Sequence, residues 1–153
     1  MGKTVLFRLF GLGRIPPALL ADLEGEGIVV QDEGIGGWLV ERNLVKPGRR
    51  SLYRVSSFTG FLAVTRKRIL AQTYWTAQLD QPVNDPRVSA LHVAFPKANR
   101  LTLAFDYNTF RPDWHGQVEL RFNTAQASRF YDTLAGLGAQ ADGAGLSVQR
   151  GLR

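Results

Sequence analysis

Five cations, Lys46, Arg49, Arg50, Arg66 and Lys67, are the residues of this chain best placed to do chemistry. They fall in a segment, 42–68, that holds eight Lys or Arg residues and no Asp or Glu. The whole chain carries a formal +6, so the excess positive charge lies entirely within that segment. A guanidinium offers paired hydrogen bonds to phosphate or carboxylate, and lysine adds a mobile point charge. The chemistry on offer is anion binding, at an acidic protein or at the headgroups of an anionic membrane. Each cation near such a surface adds roughly 1 kcal/mol, enough in sum for weak peripheral association. The same charges also serve as a solvated face, and a basic set of 15 Arg and four Lys is a bias that genome composition alone can produce.

Other reactive residue types are sparse. Asp106, Asp113 and His115 could ligate a cation or shuttle a proton. Asp113-Trp114-His115 matches no metal motif, however, and His92, between Leu91 and Val93, is expected to face outward. The chain has no cysteine, which removes disulfides, thiolate nucleophiles and Cys-ligated zinc. Gly11-Leu12-Gly13 and Gly2-Lys3-Thr4 lack the full spacing of phosphate-binding loops, and Ser51, Ser56 and Ser57 lack the context of a nucleophile. No catalytic, metal or cofactor site is expected. Tyr74, Trp75 and Trp114 fall in or beside loops, where they cap an open end of the fold, dip into a membrane interface or stack on bases. Capping is the expectation, and without an RNA-binding signature nucleic acid ranks below the membrane.

The elements that must position these groups are mostly strands. Pro16-Pro17 starts a short helix through Ala18 to Glu24, ended by Gly25 and Gly27. From Ile28 the period changes to two. Ile28 to Val30, Trp38 to Val45, Ser51 to Ser57, Phe58 to Thr65 and Lys67 to Tyr74 read as strands, with turns at 34–37, 46–50 and 66–67. Phe61-Leu62-Ala63-Val64 is apolar on both faces, as in a strand covered on both sides or lining a closed barrel. Residues 75–86 look irregular. Clean alternation then follows at Leu91, Val93 and Phe95, at Leu101, Leu103 and Phe105, and at Val118, Leu120 and Phe122, with a polar, aromatic loop at 107–116. Asn123 or Thr124, with Gln126, is expected to cap a helix whose Ala127, Phe130, Tyr131 and Leu134 share one face. The expected architecture is mainly β: about seven antiparallel strands closed into a small barrel and capped by a C-terminal helix, which hides the sheet edges. At 153 residues a single domain is expected, with an extension and short helix at 1–27, the barrel and helix at 28–136, and a flexible tail at 137–153. No apolar run reaches the ~20 residues of a membrane span, so a soluble, cytoplasmic protein is expected, peripheral to the membrane where it binds one.

FTGFLAVTRKRIL, at 58–70, resembles the strand-turn-strand of GRAM and bacterial pleckstrin-homology-like domains: a glycine, alternating apolar residues, Thr, a basic turn, then Arg and an apolar pair. GQVELRFNTAQASRFYDTL, at 116–134, resembles the last strand and C-terminal helix of the same superfamily, although Phe130 and Tyr131 stand in the helix that often carries a tryptophan. The resemblance covers roughly residues 28–136. It implies a small barrel, a tendency to bind lipid headgroups, peptides or copies of itself, no catalysis, and anion binding near Lys46, Arg49, Arg50, Arg66 and Lys67. Two alternatives stand beside it. One is self-assembly or protein–protein interaction through β-edges or the apolar N-terminus, giving a homo-oligomer. The other follows from Gly36-Gly37-Trp38, which resembles the opening of the first lipocalin strand and implies a carrier with an internal cavity for a small apolar ligand.

Overall fold

The computed structural model describes residues 3, 4, 8, 11–74 and 76–141. A helix, α1 (Pro17–Glu26), precedes two long strands, β1 (Ile28–Lys46) and β2 (Arg49–Thr65). Then come β3 (Arg68–Thr73), β4 (Thr76–Pro82), a 3-10 turn (Pro86–Ala90), β5 (His92–Lys97) and β6 (Arg100–Asp106). A one-turn helix α2 (Tyr107–Phe110), β7 (His115–Asn123), α3 (Ala127–Gly136) and a two-residue β8 (Gln140–Ala141) complete the chain. The strands form one sheet in the order β4-β3-β2-β1-β7-β6-β5-β8, antiparallel except for β5 and β8.

Mainly β is therefore correct. The sheet is a curled half-barrel of eight strands, however, not a closed barrel of about seven: β4 and β8 end the order, and no pairing among the described residues joins them. The reason lies in strand length. β2 pairs with β3 only from Gly60 to Val64, so its first half, 49–58, outruns β3 and carries β1 as a neighbour on one side alone. β1 divides in the complementary way, since only Gly37 to Val45 pairs with β7.

Curling turns one face inward. Leu62, Val64, Leu103, Leu120 and Phe122 meet there with Phe58, and α3 covers them with Ala127, Phe130 and Leu134. Phe58 and Phe122 touch edge to face at 5.4 Å. The residues between them in β2 point the other way. Phe61 and Ala63, with Leu70, form a second small core against Ile15 and Leu23 of the N-terminal segment. The doubly apolar run at 61–64 is thus a strand covered on both sides, with α1 as its outer cover. Α1 is that cover because Leu19, Leu20 and Leu23 all pack there.

Three local expectations are corrected. The glycines at 34–37 do not end a strand: β1 runs through them, with a register shift between Glu33 and Ile35. Gly37 is there for close approach, since a Cβ on it would lie 2.0 Å from the Arg121 carbonyl oxygen. Residues 76–82, read as irregular, form edge strand β4. No side-chain cap starts α3; the Thr124 hydroxyl instead accepts from the Gln126 N–H and donates to Asp32 at 2.7 Å. Of the expected tail, 137–141 is described and includes β8. The remainder of that tail, like Trp75, lies outside the described residues.

Candidate functional site

The five sequence-predicted cations divide into two groups. Lys46, Arg49 and Arg50 flank the tight turn at Pro47 and Gly48, where Lys46 pairs with Arg49. Arg66 and Lys67 occupy the turn after β2. The whole of β2 lies between the groups, about 50 Å of extended chain at the usual strand rise. The two basic turns do not meet.

Their surroundings also differ. At the Arg66 end, α1 and β4 bring acids to the strand ends. The Arg68 guanidinium reaches Glu26 at 3.2 Å and Asp80 at 3.4 Å. The Thr65 hydroxyl donates to Glu26 and accepts from the N–H groups of Lys67 and Arg68. Arg66 lays its stem over Gly27. This turn is a stitched corner with its positive charge partly offset. Among the described residues no carboxylate pairs directly with any of the five cations; the difference is that Arg68 brings Glu26 and Asp80 beside Arg66 and Lys67, and nothing comparable lies beside Lys46, Arg49 and Arg50.

That second end opens onto a recess of about 420 Å³, in the gap the incomplete barrel leaves between the first half of β2, the start of β4 and the 107–114 segment. Four cations line it: Lys46, Arg49, Arg54 and Arg111. Sequence inspection had passed over Arg54 and Arg111. Arg54 was hidden inside a strand, but its even position places it on the same face as Phe58. Arg111 is distant in sequence and reaches the recess only because α2 folds beneath the hairpin. Each cation near an aromatic ring is held by it. Lys46 Nζ sits 4.2 Å from the centre of the Trp114 ring, and the Arg111 guanidinium sits 4.4 Å from the same ring. Arg111 is further fixed by donating to the Ala77 carbonyl. Such contacts hold the cations in place before any ligand arrives, at about 0.5–2 kcal/mol each.

The recess has one acid, Glu41, and it is already committed. It is 4% exposed and accepts a 2.5 Å hydrogen bond from the Tyr107 hydroxyl, with Arg54 at 4.0 Å. Burial, reinforced by this bond to Glu41, pushes the Tyr107 hydroxyl far above the ordinary tyrosine range, so it stays a donor. Gln78 completes the wall at 7% exposure. Its amide donates to Thr73 at 3.0 Å, while its Oε1 has no hydrogen-bond partner among the described residues. The hollow thus combines a surplus of cations, an aromatic wall and a single carboxyl that is already hydrogen-bonded.

Trp114 is half-buried against the core, as a cap should be, and Tyr74 also packs there. Asp106 and His92 line a separate hollow on the outer face with Glu119, while Asp113 and His115 are exposed elsewhere. Among the described residues no group of three His, Asp or Glu side chains could hold a metal ion. Glu119 belongs to a structural ion pair: it links Arg42 on β1, at 3.2 Å, with Arg121 on its own strand, at 2.7 Å. Burial alone would raise its pKa, but the two guanidiniums outweigh that and hold the carboxyl below its ordinary value of 4.5. Its contribution to stability is therefore present above about pH 4.5 and lost as pH falls through the lowered value. Glu119→Gln should be less stable than the parent in urea unfolding at pH 7 and indistinguishable from it near pH 3. An equal deficit at both values would remove the ion pair from the account.

Among the described residues no helix is long and apolar enough to cross a membrane. Compared with known proteins, the chain matches no family model and no curated protein.

Proposed function

We propose that this protein is a non-catalytic binding module that holds a phosphate-bearing group in the recess at the turn end of the β1–β2 hairpin. One observation carries the reading: four cations, two of them stacked on Trp114, line a hollow whose only carboxyl is buried and bonded to Tyr107. Three guanidiniums and an ammonium lining one hollow suit a phosphate monoester, which can accept paired bonds from a guanidinium. The strand order from β4 through β5, with α3 closing the core, supports a GRAM or pleckstrin-homology-like reading of the fold. The concave face that an apolar-ligand carrier would leave empty is filled by Phe58, Leu103, Phe122 and Phe130, which weighs against the lipocalin alternative.

A lipid headgroup and a free polyol phosphate share this chemistry, and the test separates them. Co-sedimentation with neutral vesicles, and with vesicles carrying a phosphoinositide, reads the membrane source. Isothermal titration with inositol hexakisphosphate reads the soluble one. Lys46→Glu with Arg49→Glu should weaken binding at least about tenfold in whichever arm shows it, whereas Arg66→Glu with Lys67→Glu should change it less than about twofold. Equal losses from both pairs would mean that only the overall charge of the chain attracts anions. No binding in either arm would dismiss the recess as a phosphate site.

A further inference from the structure

The free half of β2 points to a second binding surface, which borders the recess and shares Lys46, Arg49 and Arg54 with it but does not depend on a phosphate ligand there. From 49 to 58 this strand has β1 on one side and nothing among the described residues on the other. Every second residue of such an edge turns its N–H and C=O outward, a template for one more strand. Proteins usually blunt an edge of this kind by shortening it or covering it. Here it is long, and apolar side chains stand along it. Leu52 is 83% exposed and Tyr53 61%, with Val55 beside them and Trp38 on the adjoining strand. These are four of the five large apolar side chains exposed among the described residues; only Val29 lies elsewhere. Exposed apolar groups gathered on one unpaired edge mark an interaction site.

We infer that the 49–58 edge of β2 accepts an extended, acidic segment of a partner protein as an added strand. Backbone pairing supplies the affinity in strand addition, and the alternating side chains supply the selection. Along this edge selection is by charge. Arg49, Arg50 and Arg54 interleave with Leu52, Tyr53 and Val55, and Lys46 and Arg42 flank them on β1. Of the acids nearby, Glu41 is buried, and Glu119 is taken up by Arg42 and Arg121. Arg50, Leu52 and Arg54 share one face of the edge and Arg49, Tyr53 and Val55 the other, so a strand with Glu or Asp at alternate positions would set its acids against Arg50 and Arg54 and its apolar residues against Tyr53 and Val55. A second copy of this chain would instead bring a cationic edge to a cationic edge, and like charges facing each other reject the wrong partner.

The experiment uses the full chain and a short fluorescein-labelled peptide of alternating glutamate and valine. Anisotropy should show saturable binding. Hydrogen exchange should show new protection of the amides within 49–58. A peptide with proline in place of each valine keeps the charge but cannot pair, and it should bind at least about tenfold more weakly. Arg50→Glu with Leu52→Ser should weaken the glutamate–valine peptide by a similar factor. Both residues are exposed, so the fold should persist, and neither lines the recess, so inositol hexakisphosphate binding should be unchanged. Equal binding of the proline peptide would overturn strand addition, as would protection located elsewhere. A concentration-dependent dimer that protects 49–58 without peptide would assign the edge to a second copy instead. Failure of the parent chain to bind the glutamate–valine peptide, with inositol hexakisphosphate still bound, sinks this inference alone.

Discussion

Gly60→Ala should unfold this protein, or come close to doing so. An alanine Cβ at that position would stand 1.9 Å from the Gln72 carbonyl oxygen and 3.0 Å from its carbon. Both obstacles are backbone, so no rotamer change relieves them; β2 and β3 must separate where Gly60 pairs with Thr73. Overpacking in a core costs about 1–3 kcal/mol when side chains can shift. Here they cannot, and the loss should exceed about 3 kcal/mol, a large share of a domain's usual 5–15 kcal/mol. The separation would also uncover Phe61 and Leu62 on the two sides of the strand, both fully buried. Urea unfolding monitored by tryptophan fluorescence decides the matter, and a variant within about 1 kcal/mol of the parent would show that the crossing is looser than its geometry. Gly25, with nothing within 4 Å of its would-be Cβ, is the control: Gly25→Ala, inside α1, should be neutral or slightly stabilising.

Tyr107→Phe is expected to cost about 3 kcal/mol, for a different reason. The change deletes a single oxygen, yet it leaves the Glu41 carboxyl buried with only Arg54, at 4.0 Å, to answer it. Removing one partner of a buried polar pair exposes the full desolvation penalty of the other, whereas replacing both by apolar groups is often close to neutral. Glu41→Leu combined with Tyr107→Phe should therefore recover most of the loss. If the double variant is as unstable as the sum of the single ones, the two side chains act independently and the bond carries nothing. The pair also bears on the recess. Tyr107 satisfies the one local carboxyl and fixes it at the wall of the recess, beside Arg54.

Tyr107 also marks the boundary of what was legible in the chain. The alternation at Leu101, Leu103 and Phe105 is a local signal, and β6 follows it. The pattern stops at Asp106, and residues 107–116 read as a polar loop. Only packing shows that Tyr107 is 1% exposed and that its ring meets Trp114 edge to face at 5.1 Å. Strand β4 escaped notice for a similar reason: Thr-Ala-Gln-Leu-Asp-Gln-Pro buries only Gln78 and Leu79, so it carries no period of two. The turn glycines misled in the opposite direction. Gly36 and Gly37 lie in extended chain, and the meaning of Gly37 is a neighbour's backbone 2.0 Å from a missing Cβ, which only the β1–β7 pairing creates.

The sequence by itself determined the mainly β class, the basic hairpin, the doubly buried run at 61–64 and the amphipathic C-terminal helix. Each of these rests on side chains within a few residues of one another, where periodicity and turn chemistry act. The tertiary structure decided which of the two basic turns borders a hollow. In sequence they look alike, both inside a segment without acids. Folding carries Glu26 and Asp80 to the Arg68 corner and offsets one of them. It carries Arg111, Trp114 and Gln78 to the other and builds a hollow around it. Charge acts through space, so the acids that matter to a cation are those the sheet brings near, not those beside it in the chain.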